Sequence, residues 1–488
     1  MPFTALTSFL LSARQRPALP LAMALLAAPV AAQIAQNTPA TSAPLSFAQA
    51  HSALLEHSHQ LAASRKAVEA AQLRREGVEG LGGPSVAVTG MGYRYSANAD
   101  LDLDPAQRAL SGGLSMLPPQ LAGGIGAQLP SLPDNYHLQR KKSVASANMS
   151  AIWPLYVGGL SDAVRQQLDG MADEAQADAT SSGEQLQTLL VQRYFTAQLA
   201  ARAAALRQRA LAGVQAHDDA AQRMLQAGVI AQVERLQASA ALADAQQQAR
   251  KADDDARLAR SALARTVHAP ASVQPSSPLF VSSEALPPLQ QFQDAALQQH
   301  PGLGKVAAKK RQAEALHDAS EALRKPQVLA FGMREVNTSG KPNWAAGVAV
   351  RWTLWDSMDR DKLAAAGQRS IEQAELTDAQ VRSDIALLVE KNWLAVEQAR
   401  TQYLAGQAQE NLARELLRLR SVGLKEGTST ALELIDVQLN LAKVQTERAA
   451  SANQYVQALA ALLESTGQSD AFAQYMARAD ILIPADAP

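Results

Sequence analysis

An internal repeat constrains the fold of this 488-residue chain more than any other feature of its sequence. The segment that begins at Trp153 recurs loosely at Trp352, an offset of 199 residues. Without a gap, the same offset relates five further pairs: Tyr194 to Trp393, Gly228 to Gly427, Glu234 to Glu433, Leu242 to Leu441 and Gln246 to Gln445. A register kept over so many residues predicts two copies of one structural unit.

Each copy has the same predicted order of elements. A helical stretch (46–80 or 288–325) leads into two strands in which side chains alternate with period two, and two long helices follow. We predict strands at about 84–95, 146–156, 326–336 and 344–355, and long helices at about 160–227, 229–267, 358–426 and 428–466. The longer helices would each extend about 100 Å. The expected fold class is therefore mainly α, with two strands in each repeat.

The remaining boundaries follow from composition. Residues 1–32 have the cationic start, short apolar run and small final residues of an export signal, although a membrane anchor is an alternative. The first repeat then occupies 33–267, a proline-rich linker 268–288, the second repeat 289–470 and a tail 471–488. The first copy carries about 43 extra residues between its strands. We expect them to form a long loop at 96–143 that faces the cell exterior and is dispensable for folding.

Composition excludes several function classes. A net charge of -1 leaves no basic surplus for nucleic-acid binding. Because the chain has no cysteine, it forms no disulfide and carries no lipid anchor on a cysteine. His51, His57 and His59 lack the spacing of a metal site, and we find no nucleotide-binding or catalytic motif. We therefore expect no enzyme activity, no cofactor and no metal.

Aromatic residues are rare in the chain but concentrate in the predicted strands. Strands of about 10 residues can cross a membrane, and aromatic girdles mark the two interfaces of an outer-membrane barrel. The predicted girdle consists of Trp153, Tyr156, Trp344, Trp352 and Trp355. The alternative is that these are core residues of a soluble sandwich. Four strands cannot close a barrel, so the membrane interpretation requires oligomerisation, and a trimer would supply 12 strands.

The segment 421–438, with sequence SVGLKEGTSTALELIDVQ, resembles the turn between the inner helices of outer-membrane efflux proteins of the TolC type. The resemblance implies a homotrimer in the outer membrane, in contact with its lipid, with a 12-stranded barrel and a periplasmic α-helical tunnel. It also implies a passive exit duct of a tripartite efflux or type I secretion system, with a periplasmic adaptor protein and an inner-membrane transporter as partners. A periplasmic coiled-coil adaptor and a helical scaffold without a pore are the rival interpretations.

The same resemblance assigns roles to individual residues. Glu433 and Asp436, three residues apart on one helix face, would form an acidic ring that selects cations at the pore entrance, although a capped and solvated helix is the simpler interpretation. The residues at the periplasmic tip turns would be Gly228, Glu234, Leu424, Gly427 and Ser429. Leu424 and Ser429 replace the Tyr and Arg that hold the entrance closed in well-studied members, so that closure cannot form in the same way here.

Overall fold

A computed structural model describes residues 43–116, 135–269, 273–336, 343–355 and 357–484. The predicted signal peptide at 1–32 lies outside the described residues. In chain order, the elements of the first repeat are β1 (Ala43–Leu45), α1 (Phe47–His57), α2 (His59–Gly77), β2 (Ser85–Asp102), α3 (Asp104–Ser115), β3 (Asn135–Tyr156), α4 (Leu160–Gln226), α5 (Gln232–Thr266) and β4 (Val273–Pro275). Those of the second are β5 (Leu279–Val281), α6 (Leu289–Gln299), α7 (Pro301–Ala322), β6 (Gln327–Glu335), β7 (Trp344–Arg351), α8 (Arg360–Lys425), α9 (Ala431–Thr466), a 3-10 turn (Ser469–Ala471), α10 (Phe472–Arg478) and β8 (Ile481–Ile483).

The internal repeat recurs in the hydrogen bonds of the structure. The Tyr194 hydroxyl donates to the Leu45 carbonyl at 2.7 Å, and the repeat-related Trp393 indole donates to the Pro287 carbonyl at 3.0 Å. Leu45 and Pro287 lie just before the first helix of their repeats. Each copy therefore uses an aromatic donor in the middle of its long helix to fix the segment through which the chain enters that copy.

Each repeat is also closed by a pair of short strands. β1 pairs in parallel with β4, and β5 pairs antiparallel with β8, so that the first and last strands of each copy meet. The region 268–288 is consequently not a plain linker, and the tail after residue 471 contains α10 and β8. Neither pair of short strands was predicted, because strands of three residues are too short to show a period in the sequence.

The long strands form one antiparallel sheet in the order β2-β3-β6-β7. β2 and β3 stay paired from Ser85 with Ile152 to Asp102 with Asn135, so the predicted loop at 96–143 is wrong at both ends. Strand continues to Asp102 and resumes at Asn135, and α3 follows directly after β2. Asn and Asp are uncommon in strands, and cross-strand pairing overrides that preference here. β7 ends at Arg351, earlier than predicted.

Four helices, α2, α4, α7 and α8, meet this sheet at one end, whereas α3 follows β2 at the other end. α2 and α7 lead into β2 and β6, while β3 and β7 lead into α4 and α8, so the connections within both hairpins lie at the opposite end. At the α4 junction Gly158 has φ +71°, and a Cβ there would lie 2.4 Å from the Ala322 carbonyl oxygen. Glycine is required at this position because the chain passes directly against the end of α7.

The helical stretch that opens each repeat consists of two helices. Ser58 separates α1 from α2, and its hydroxyl accepts from the Leu61 amide; His300 caps α7 in the same way through Gly302. The main core lies between these short helices and the middle of the long ones, and its buried aromatic residues are Phe47, Tyr194, Phe195, Phe280, Phe292, Tyr403, Tyr455 and Phe472. No helix among the described residues is long and apolar enough to span a membrane.

Candidate functional site

One face of the four-stranded sheet is apolar and exposed. Pairing places Val88 opposite Met149, Trp153 opposite Ala330, and Ala330 opposite Val348, so these side chains share one face. We call this the apolar face; its large apolar residues are Val86, Val88, Met149, Trp153, Tyr156, Val328, Trp344, Val348 and Val350, and Arg334 lies at its outer edge beside Trp344. Val86, Val88 and Val350 are each 68% exposed, and Trp344 is 76% exposed. An exposed apolar patch of this size marks a surface that contacts a membrane or another protein.

The opposite face of the sheet mixes polar and apolar residues. The pairing of Thr89 with Asn148, and of Asn148 with Glu335, places all three there. The face also carries Ser85, Ser150, Phe331, Met333, Gln327 and Arg351. Apolar residues on one side and a polar mixture on the other are typical of a membrane-barrel wall. β2 and β7 are edge strands within the chain, so each has an unpaired side.

The predicted aromatic girdle residues lie at two levels of the sheet. Trp344 begins β7 at the hairpin end, whereas Trp352 follows directly after β7 at the helix end, where its indole donates to the Arg324 carbonyl at 3.1 Å. Trp153 and Tyr156 also lie near the helix end of β3, on the apolar face. Eight residues of strand between Trp344 and Trp352 correspond to about 27 Å. Trp355 lies outside the strands and is 87% exposed.

The turn between α8 and α9 is built by its own backbone. Gly427 has φ +74°, and the amides of Thr428 and Ser429 both donate to the Gly423 carbonyl, at 2.8 and 3.2 Å. The backbone of Leu424 takes part as well, since its carbonyl accepts from the Gly427 amide at 3.4 Å. The two residues that differ from the well-studied proteins, Leu424 and Ser429, thus belong to the turn itself.

Two interactions hold the Glu433 side chain in place, a capping box and an ion pair. With Thr430 it forms a reciprocal capping box at the start of α9. Its Oε2 also lies 3.0 Å from Nη1 of Arg420 on α8, and that guanidinium reaches the Ser429 hydroxyl at 3.5 Å. Asp436 is exposed and, within the described ranges, forms no ion pair. Glu433 and Asp436 therefore share an exposed face, as predicted, but the charge of Glu433 is offset within its own hairpin.

The corresponding turn of the first repeat is stabilised by a different ion pair. Gly228 has φ +71°, and Ala231 begins α5 without a side-chain cap. Arg235 binds Asp218 at 2.7 Å across this hairpin, and both side chains are largely buried. Glu234, the counterpart of Glu433, is exposed and has no ion-pair partner in the part of the chain that the structure describes. At the tip of the first repeat the charge of Glu234 is therefore unpaired, whereas at the tip of the second the charge of Glu433 is offset by Arg420.

The two hairpins pack together just above these turns. Ile435, between Glu433 and Asp436, is fully buried against the first repeat. Its cluster contains Val214, Ala221, Ala238 and Ala245 of α4 and α5. This contact fixes α9 against the first hairpin and keeps the two acidic residues on the opposite, exposed side.

A buried polar network on α8 and α9, farther from the tip turn, was not predicted from the sequence. Glu410 of α8 is 5% exposed and accepts hydrogen bonds from Arg448 at 2.7 Å, Arg414 at 2.7 Å and Gln445 at 3.3 Å. Burial by itself would raise the pKa of Glu410, but these bonds outweigh burial and hold the pKa below its usual value. The four-residue spacing of Glu410 and Arg414 was visible in the sequence, but their burial was not.

The second repeat matches a known protein family. Residues 293–468, from within α6 to the end of α9, match the model described as outer membrane efflux protein. Through this repeat, the chain is similar to the outer membrane efflux protein family. The match covers the α8–α9 turn with Glu433 and Asp436, and the first copy repeats that architecture outside the matched segment. A comparison with curated protein sequences gives no match.

Solved outer-membrane channels share the fold of this chain. The CmeC outer membrane channel of Campylobacter jejuni superposes with a TM-score of 0.71 at 13% identity, covering 87% of this chain and 86% of that chain. The open-state MtrE channel of Neisseria gonorrhoeae gives 0.67 at 17% identity, covering 87% and 89%. VceC of Vibrio cholerae, an outer membrane protein, gives 0.67 at 11% identity, covering 86% and 96%. The mainly helical, two-repeat fold with one strand pair per repeat is thereby confirmed.

Proposed function

We propose that this protein forms a trimeric exit duct in the outer membrane for an efflux or type I secretion system. The observation that carries the proposal is the four-stranded sheet, which has an apolar exposed face, two free edges and both of its longest helices, α4 and α8, at one end. Free edges are not tolerated in lipid, so neighbouring copies must pair β7 with β2. Three copies would close a barrel of 12 strands, wide enough for an open interior.

In this arrangement the helices extend from the sheet into the periplasm. α4 has 67 residues and α8 has 66. At 1.5 Å per residue each reaches about 100 Å, so the tip turns lie far from the membrane. A periplasmic adaptor and an inner-membrane transporter would meet the duct there. We further propose that conduction is passive, with no catalytic step, and that Glu433, Asp436 and Glu234 line the entrance.

The family match and the shared fold of known outer-membrane channels support this proposal. A periplasmic adaptor or a scaffold without a pore would have no use for a sheet with an exposed apolar face of membrane dimensions. No observation favours either of these rivals.

The test uses the full-length chain, expressed with its own N-terminal segment. We expect recovery in the outer-membrane fraction, a gel mobility that changes on heating, and a protein mass in detergent near three chains. Reconstitution into a planar bilayer should give discrete conductance steps. A stable monomer with a full β-sheet signal, or trimers that conduct no ions, would contradict the proposal.

A further inference from the structure

The β2–β3 hairpin continues well beyond the rest of the sheet. β3 pairs with β6 only from Asn148 to Tyr156, whereas its pairing with β2 continues to Asn135. Thirteen residues of each strand thus project past the four-stranded part, about 44 Å along the strand. Because this end is opposite the long helices α4 and α8, the proposed function places the projection on the outer side of the membrane.

Pairing assigns each side chain of the projection to a face. Gly92 pairs with Ala145, Arg94 with Ser143, and Ser96 with Lys141. These residues have the same parity as Val88 and Met149, so they continue the apolar face outward. Tyr95, paired with Lys142, and Ala97, paired with Arg140, lie on the mixed face instead. The basic cluster at 140–142 is therefore divided, and Lys141 alone is on the apolar side.

The apolar face has a defined outer border on this hairpin. From Trp153 to Ala145 it carries only uncharged, small or apolar residues over nine positions of β3, about 27 Å. Arg94 and Lys141 come next. The apolar run on β7, from Trp352 to Trp344, has the same length but is shifted toward the helices by four residues relative to β3. Tilted strands in a membrane require such a stagger.

Arg94 and Lys141 are uncompensated charges. Both are exposed, and neither forms an ion pair among the residues that the structure describes. They are diagonal neighbours across the strand pair, a position at which residues lie about 7 to 8 Å apart. Two like charges at this spacing repel each other, and a single anion between them would relieve the repulsion. Arg334, at the outer end of β6, lies on the same face beside Trp344 and is also unpaired among these residues.

We propose that Arg94 and Lys141 bind the phosphate group of a lipid in the outer leaflet, with its acyl chains against the apolar face below them. This inference rests on the proposed function, which sets the orientation of the sheet. The chemistry fits because a phosphate carries the charge and the acceptor oxygens that a guanidinium and an ammonium can share. The apolar run of membrane length directly below the cations fits the chains of the same molecule.

The experiment compares two double variants that remove the same charge from opposite faces of one hairpin. R94Q/K141Q removes the proposed site, whereas R140Q/K142Q is the matched control on the mixed face. Full-length protein is reconstituted into phosphatidylcholine vesicles that contain phosphatidic acid with brominated chains, which quench tryptophan on the lipid-facing surface. Brominated diacylglycerol, which has the same chains and no phosphate, reports binding of the chains alone.

We expect the wild-type protein and R140Q/K142Q to prefer phosphatidic acid over phosphatidylcholine on the order of tenfold. R94Q/K141Q should lose most of that preference, and the preference should weaken with added salt. Equal loss in both double variants, or no loss in either, would overturn the proposal. So would competition by inorganic phosphate as strong as by the lipid, because the site would then bind a free anion.

The trimer mass and conductance of each variant separate this proposal from the function on which it rests. Wild-type protein that inserts and conducts but shows no lipid preference would overturn the phosphate site alone. Wild-type protein that fails to insert would overturn both.

Discussion

At the scale of single residues, the glutamates at corresponding positions of the two repeats have different partners. Glu234 and Glu433 occupy corresponding positions, yet Glu433 is paired with Arg420 while Glu234 stays exposed. The position of Arg420 in the first repeat is Ala221, which is buried in the contact between the hairpins. The net charge at the proposed entrance is therefore smaller than a count of carboxylates indicates.

This difference predicts opposite effects of two neutralising substitutions. Arg420→Gln should increase cation selectivity, because it releases the charge of Glu433, whereas Asp436→Asn should decrease it. Reversal potentials in single-channel recordings under a salt gradient measure both effects. Arg418→Gln is a suitable control, since Arg418 pairs with Glu415 outside the turn.

Neither substitution should alter trimer stability by more than about 1 kcal/mol, because exposed ion pairs contribute little to folding. If Arg420→Gln and Arg418→Gln shifted the reversal potential equally, the Arg420–Glu433 pair would have no special effect on the pore.

The spacing of Glu433 and Asp436 was sufficient to predict that both lie on one helix face. Their different partners were not predictable, because Arg420 precedes Glu433 by 13 residues on the other arm of the hairpin. Whether such residues meet depends on how tightly the turn at Gly427 closes. Residue types and periodicity carry no information about how far apart α8 and α9 lie at this turn.

At the scale of elements, the Glu410 network fastens α8 to α9. Arg448 of α9 bonds Glu410 at 2.7 Å and lies over the Tyr403 ring, 4.4 Å from its centroid. Replacing Glu410 by Gln would leave the mostly buried Arg448 guanidinium without its counter-charge. We expect Glu410→Gln to destabilise the protein by about 3 kcal/mol. Denaturant unfolding of the trimer, with Glu415→Gln as the exposed-pair control, measures this.

The same network makes stability depend on pH. Because the folded pKa of Glu410 lies below its unfolded value of 4.5, its contribution is fully present above that value. It is lost as the pH falls through the folded pKa. Wild-type stability should therefore decline below about pH 4.5 more steeply than that of Glu410→Gln. Parallel declines in the two proteins would show that other carboxylates govern the acid limit.

Elements were predictable from the sequence in proportion to their length. The four long helices and both strand pairs followed from proline-free stretches, glycine turns and period-two alternation. The strands β1, β4, β5 and β8 could not be found, because three residues have no period and their partners are distant in the chain. The extension of β2 and β3 was hidden for another reason: its polar residues gain stability only from each other across the hairpin.

At the scale of the whole molecule, the projecting hairpin should be dispensable at its far end. α3 has no buried residue, and β2 and β3 pair with each other up to Asp102 and Asn135. Joining residue 103 directly to residue 135 removes α3 and the segment after it. We expect this deletion variant to form trimers in the outer membrane, as judged by heat-modifiable mobility. Monomers or degradation would show that the removed residues contribute to assembly.

The closure of each repeat by its own terminal strands has a genetic consequence. β1 meets β4 and β5 meets β8, so either half of the gene encodes a polypeptide whose two ends already pair with each other. Six copies of a half-length chain of this kind would present as many strands as three copies of the present chain. Joining two such halves in tandem needs little more than the connection at 276–278. In the joined chain each half can change separately, and the two tips of this protein do differ.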